Sequence, residues 1–193
     1  MKETTKLQEN ATAWMQDEPI LVTTLDKPYY CETRDVFQTR LDSLTSELLD
    51  NDQIPEDTAY LVSAIVGEIG NNSFDHNIGN WPDVIGIFFG YYLESDTKQI
   101  VLADRGRGVF TTLRKVKPDL LDDKEALEVA FTQRLSGRAP ENRGNGLKFV
   151  KQSVSDQKLH LSFSSGSAEA ILNTTIEIKE REKIRGCLAI LSF

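Results

Sequence analysis

Apolar and polar positions along this chain divide it into segments with different periods. Residues 1–18 are polar, carry no sustained apolar run and read as a loose arm. The run 19–24 (PILVTT) is rich in β-branched residues and predicts a short strand. Over 34–49, apolar residues fall at Val36, Phe37, Leu41, Leu44, Leu48 and Leu49, the spacing of an amphipathic helix. Residues 51–56 break that pattern. Pro55 then suits the opening turn of a second helix reaching to 77, closed by Trp81 and Pro82. The apolar runs 84–93 and 99–103, on either side of the polar turn 94–98, predict an antiparallel pair. Residues 105–143 are mostly polar; within them Asp122 is placed to cap a helix over 123–133. A further helix opens near 144, and strand-like runs at 159–164, 168–178 (with a break) and 186–193 end the sequence. Helices come mainly first and strands mainly last. The expected class is α+β: a two-layer sandwich with a mixed, mostly antiparallel sheet and helices on one face, residues 19–193 forming one domain.

Composition narrows the partners. The 193 residues carry a formal net charge of −8, which argues against nucleic acid and anionic membrane surfaces as partners. Charged residues at 27% and hydrophobic residues at 39% fit a soluble globular chain. No apolar run approaches the roughly 20 residues of a membrane span, and the polar start lacks the apolar core of a signal peptide. The reading is therefore cytoplasmic. Two cysteines, Cys31 and Cys187, lie far apart; reduced thiols are the simpler reading, with a disulfide left open. Two histidines, His76 and His160, rule out a multi-histidine metal site.

Three short segments carry candidate chemistry. In the 55–77 helix, Leu61, Val62, Ile65, Val66 and Ile69 form an apolar stripe. At about 100° per residue, Asn72 and His76 project near its middle and Glu68 at its edge. Polar groups on an interior face need a partner such as a ligand, a metal or water. The plain alternative is a helix end that frays into solvent. In the second segment, the apolar strand 100–103 runs into Asp104, Gly106 and Gly108. Glycine allows close backbone approach, and an Asp at a strand end can accept a hydrogen bond from an exocyclic amine. Taken alone, it reads as an ordinary strand exit with an Asx turn. In the third, Gly144, Asn145, Gly146 and Leu147 open a helix whose free N–H groups suit phosphate, with Arg143 and Lys148 nearby. It lacks the spacing of a P-loop.

The order ExxxNxxxH on a helix, a strand ending in DxGxG, then GxGL opening a helix resembles the GHKL superfamily over residue 56 to the C-terminus. That superfamily includes gyrase, heat-shock protein 90, MutL, histidine kinases and the anti-sigma factor serine kinases. The resemblance implies ATP and Mg2+ as cofactors, with roles at matching positions. Asn72 would ligate magnesium, and Glu68 would act as general base or orient a metal-bound water. Asp104 would accept from the adenine amine. Gly106 and Gly108 would let the chain pass over the nucleotide, and Gly144, Asn145, Gly146 and Leu147 would contact phosphate. Residues 109–143 would be an ATP lid, mobile without nucleotide. Cys187 stands where the family usually has Thr beside the adenine, and is a poorer hydrogen-bond partner. His76 matches a position where anti-sigma-like members often carry His; a packing or capping role stays equally open.

Within that superfamily, the short stretch before the pocket helix leaves little room for the phosphorylatable hairpin of a sensor kinase. The sequence also ends at its last strand, without a gyrase-like transducer domain. The layout is similar to the anti-sigma factor serine kinases, which implies a STAS-type or sigma-type protein partner and leaves a homodimer open. The expected function is a serine/threonine protein kinase or slow ATPase acting on that partner. The alternative is a non-catalytic, nucleotide-gated binding module.

Overall fold

The computed structural model describes residues 2–16, 28–94, 96–133 and 146–193. The helices and strands alternate as α1 (Lys2–Gln16), β1 (Tyr30–Cys31), α2 (Arg34–Leu49), α3 (Glu56–Asn77), β2 (Ile87–Tyr92), β3 (Gln99–Asp104), α4 (Gly108–Leu113), α5 (Asp123–Thr132), α6 (Gly146–Asp156), β4 (His160–Ser165), β5 (Ala168–Leu172), β6 (Ile176–Glu180) and β7 (Cys187–Ser192). The strands form one sheet in the order β1-β2-β3-β7-β4-β5-β6, and every described pair is antiparallel. The predicted strand at 19–24 lies outside the described residues.

Local signals explain the helix starts. The Thr33 hydroxyl caps α2 by accepting from the Val36 N–H, and Asp122 caps α5 by accepting from the Glu125 N–H at 2.9 Å, as its position predicts. Helix α3 opens directly after Pro55. The apolar stripes of α2, α3, α5 and α6 then pack with Ile87, Phe89, Ile100, Leu102, Ala189 and Leu191 into the main core. This is the expected sandwich of helices on a sheet.

Two features differ from the sequence expectation. Residues 2–16 are a helix rather than a loose arm. Leu7, Ala11, Trp14 and Met15 recur at helical spacing and are buried against Phe88, Val101, Ala103 and Leu188, on the sheet face opposite the other helices. The near-continuous apolar runs of β2 and β3 have this cause, since both of their faces are covered. In addition, the segment read as a lid is folded in its first half. Helices α4 and α5 share a small core of Leu113, Leu120, Ala126 and Val129, while Leu127 and Phe131 reach the main core. Residues 134–143 lie outside the described residues.

Because β7 lies between β3 and β4, three central strands end in one row. Asp104 pairs with Cys187, and Cys187 with Ser165. The loops 104–108 and 184–187 therefore meet at one end of the sheet, beside the C-terminal half of α3.

Candidate functional site

Helix α3 holds the site from one side. Glu68 and Asn72 are one turn apart and half-buried, and the Asn72 side-chain amide donates to the Glu68 carboxylate at 3.2 Å. That bond uses the amide nitrogen. The amide oxygen accepts no hydrogen bond among the described residues. Gly146, the first residue of α6, lies against the same carboxylate: a Cβ added to it would stand 2.5 Å from the Glu68 Cδ. A side chain here would displace the Glu68 carboxylate from its present position. Leu147 follows, half-buried against the main core. Gly144 and Asn145 lie outside the described residues.

Asp104, at the end of β3, is held from the same helix. Its carboxylate is buried, accepting from the Ser73 hydroxyl at 2.8 Å and from the Gly106 N–H at 2.8 Å. The Cys187 N–H and thiol also reach it. Burial pushes the Asp104 carboxyl up, and these donors pull against that shift. The Cys187 thiol is itself raised well above its ordinary value, by burial first and then by the Asp104 charge, so it is neutral and donates, with Ser165 Oγ 3.6 Å away. Cys187 thus joins Asp104 and Ser165 through its thiol.

Asn77, one turn beyond Ser73, holds the next loop residues. Its oxygen accepts from the Arg107 N–H at 3.1 Å while its nitrogen donates to the Ser73 carbonyl at 2.8 Å. A Cβ on Gly106 would meet this amide, with 2.5 Å to the Asn77 Cγ. Gly108 has φ +76° and turns the chain so that the Val109 N–H donates to Ser165 Oγ at 2.9 Å. Sequence reasoning missed Ser73, Asn77 and Ser165. The one signal available was the continuation of α3's interior face by a hydroxyl at 73 and an amide at 77. His76, singled out from sequence, makes no hydrogen bond to Glu68, Asn72 or Asp104 among the described residues. Burial, then the nearby Lys115 charge, lowers its pKa, which keeps the ring neutral.

The donor set suits magnesium rather than a softer metal. Asn72 and Glu68 offer hard oxygens, and magnesium commonly takes one or two protein oxygens and completes its octahedron with waters and phosphate. Among the described residues there is no cluster of three or more His, Cys, Asp and Glu side chains that could hold a metal by itself. No described helix is long and apolar enough to cross a membrane.

Burial of Asp104 gives a pH prediction. A carboxyl whose folded pKa is raised binds its proton more tightly folded than unfolded. Stability therefore falls as pH rises from the ordinary carboxylate range toward the folded value. Asp104→Asn should remove this slope and melt lower than the parent at pH 7, because an amide leaves at least one of the Ser73, Gly106 and Cys187 donors without an acceptor. Thermal melts from pH 4 to 8 check it; a parallel slope in the variant would show that Asp104 does not titrate as described.

No family model matches the sequence, and no curated protein matches it. Among solved structures it is similar to the ATPase region of Saccharomyces cerevisiae topoisomerase II, with a TM-score of 0.39 and 12% identity over 70% of this chain and 38% of that one. The same region bound to ICRF-187 (dexrazoxane) gives a TM-score of 0.38 and 14% identity over the same shares. The chain thus spans 38% of the length of these neighbours.

Proposed function

We propose that this protein binds ATP with magnesium between α3, the 104–108 loop and the start of α6, and acts as a regulatory serine/threonine kinase or slow ATPase on a STAS-type or sigma-type protein partner. The observation that carries the reading is the convergence of two separated segments, the end of β3 and the start of α6, on one helix. Glu68 meets Gly146 of α6, Asn72 bonds Glu68, and Ser73 holds Asp104. In this reading the Asn72 oxygen holds the metal, and the backbone N–H groups opening α6, an 11-residue helix, face phosphate. Ser73, Gly106 and Cys187 together take up the acceptor sites of Asp104, so an adenine amine would bind there by displacing one of these donors. Magnesium held there would supply neutralisation of phosphate charge, and Glu68 would take a proton from an attacking hydroxyl.

A second reading follows from the Asn72–Glu68 bond itself. A carboxylate that orients the metal-binding amide need not move a proton, and the protein would then be a nucleotide-gated binding module.

Melting with ATP, with GTP and with neither, each with magnesium, tests the first step. A ligand at 100 times its Kd adds about 2.7 kcal/mol. The expected result is a clear upward shift with ATP, a smaller one with GTP, and loss of the ATP shift in a still-folded Asn72→Ala. No ATP shift, or an equal one with GTP, rejects the nucleotide assignment. Radiolabelled ATP then separates the two readings: label on a captured partner's Ser or Thr that vanishes with Glu68→Gln supports the kinase, and ATP-dependent capture without label supports the module.

A further inference from the structure

On the outer side of the 106–108 loop lies a cleft of about 580 Å³. Its other walls are Phe110 and Thr111 of α4, Asp123, Gly166 in the β4–β5 turn, and the 183–186 segment. Glu68, Asn72, Asp104 and Gly146 take no part in it. The volume is that of a ligand site rather than a packing defect.

The charge lining this cleft runs against that of the whole chain. The sequence holds 30 acidic and 22 basic residues, yet three bases, Arg107, Lys183 and Arg185, line this one cleft. Arg107 and Lys183 are exposed and form no ion pair among the described residues. Arg185 contacts Asp83, which is already bonded to Arg105, and its guanidinium has further N–H groups to offer. The acid in the wall, Asp123, is engaged: one of its oxygens accepts both the Ser167 N–H at 2.9 Å and the Ser167 hydroxyl at 2.8 Å. Arg107 and Lys183 therefore stand in the cleft wall without an acidic partner among the described residues. Exposed like charges gathered in one concavity raise the local potential and favour an anion there.

We propose that this cleft docks an acidic peptide segment of a protein partner, seated by Arg107, Lys183 and Arg185. The cations come from two separate chain segments, and the half-buried Phe110 ring adds an apolar wall. Spread charges beside an apolar surface suit a run of Glu or Asp side chains, with their methylenes, better than a point anion. The inference does not depend on ATP binding. If both hold, the two sites share Gly106 and Gly108.

Titration of a fluorescent hexaglutamate peptide into the nucleotide-free 193-residue protein at about 0.1 M salt, where the Debye length is about 10 Å, tests this. The expected result is saturable binding that Arg107→Glu with Lys183→Glu weakens by about tenfold or more. Lys6→Glu with Lys158→Glu makes the same charge change at exposed positions outside the cleft and should leave binding within about twofold, because exposed charges farther apart than a Debye length are largely screened. Arg107→Gln with Lys183→Gln repeats the measurement should charge reversal unfold the protein. No saturable binding, or equal weakening in both double variants, overturns the proposal. Displacement by inorganic phosphate at equal concentration also overturns it, assigning the cleft to a small anion. Failure of the ATP melting shift would leave this result untouched.

Discussion

Asp83→Ala should be the most damaging single change behind the sheet, costing roughly 3 kcal/mol, the scale of breaking a buried ion pair. That is about 10 °C in melting temperature for a chain of this size. The reason is Arg105, which is 1% exposed although it carries a full charge. Its guanidinium donates to Asp83, with Nη2 2.7 Å from Oδ2, and to the Trp14 carbonyl, and it lies 5.9 Å from the Trp14 ring centroid. Removing Asp83 strands that cation in an apolar layer. Burial alone would push the Asp83 carboxyl up. The hydrogen bonds from Arg105 and the Val84 N–H and the two nearby guanidinium charges outweigh it, and hold the group below the usual carboxylate range. A depressed folded value means that the stabilisation is present at neutral pH and lost as pH falls through that value. The acid loss should accordingly be smaller in Asp83→Ala. Arg105→Leu combined with Asp83→Ala should recover part of the loss, because the unpaired charge is gone. Urea melts of the two single variants and the double variant decide it: strictly additive losses would mean that the pair is not coupled.

Gly186→Ala should be nearly as costly and should also remove nucleotide binding. Gly186 has φ +66°, and a Cβ there would press on the Asp104 carbonyl oxygen, standing 2.6 Å from the carbonyl carbon and 2.8 Å from Oδ1. The first contacts are backbone atoms of the central strand, which cannot swing aside. Left-handed strain of about 1–2 kcal/mol adds to overpacking of about 1–3 kcal/mol. Gly79→Ala is the matched control. Its φ is +67°, yet a Cβ there would meet nothing within 4 Å, so only the strain remains. Melting curves of the two variants, with and without ATP and magnesium, make the comparison. Equal losses would show that contact with Asp104 carries no weight.

Much of this arrangement was legible in the sequence, because helix and strand periods differ and the capping residues stand where they act. The 34–49 and 55–77 stripes became α2 and α3, and the two apolar runs around the 94–98 turn became the β2–β3 pair. What stayed hidden had weak or ambiguous signals. Helix α1 exposes mostly polar side chains, and its four core residues are too sparse to stand out. Helix α4 is six residues of Gly, Val, Phe, Thr and Leu that read equally well as a loop. At the site, Glu68, Asn72, Asp104 and Gly146 could be named from the order of three motifs along the chain, although each motif taken alone has an ordinary reading. Ser73, Asn77 and Ser165 could not. A hydroxyl or amide that steadies a loop is chosen by the fold around it, and short polar side chains occur everywhere. His76 shows the converse: its place on the helix face was read correctly, but no described contact joins it to the site.

The alternation of side chains at the end of β3 bears on how the protein can be cut down for study. Asp104 turns toward α3 and Arg105 toward α1, so adjacent residues tie the layers on opposite faces of the sheet. A fragment begun after residue 16, trimmed to the α/β sandwich alone, would bare Phe88, Val101, Ala103 and Leu188 to water. It would also leave Arg105 without the Trp14 carbonyl, one residue from the Gly106–Gly108 loop it was meant to isolate. Helix α1 therefore belongs inside any minimal folding unit, and tags or fusions are better placed at the C-terminal end of the chain, where β7 ends at Ser192 and Phe193 is only partly buried.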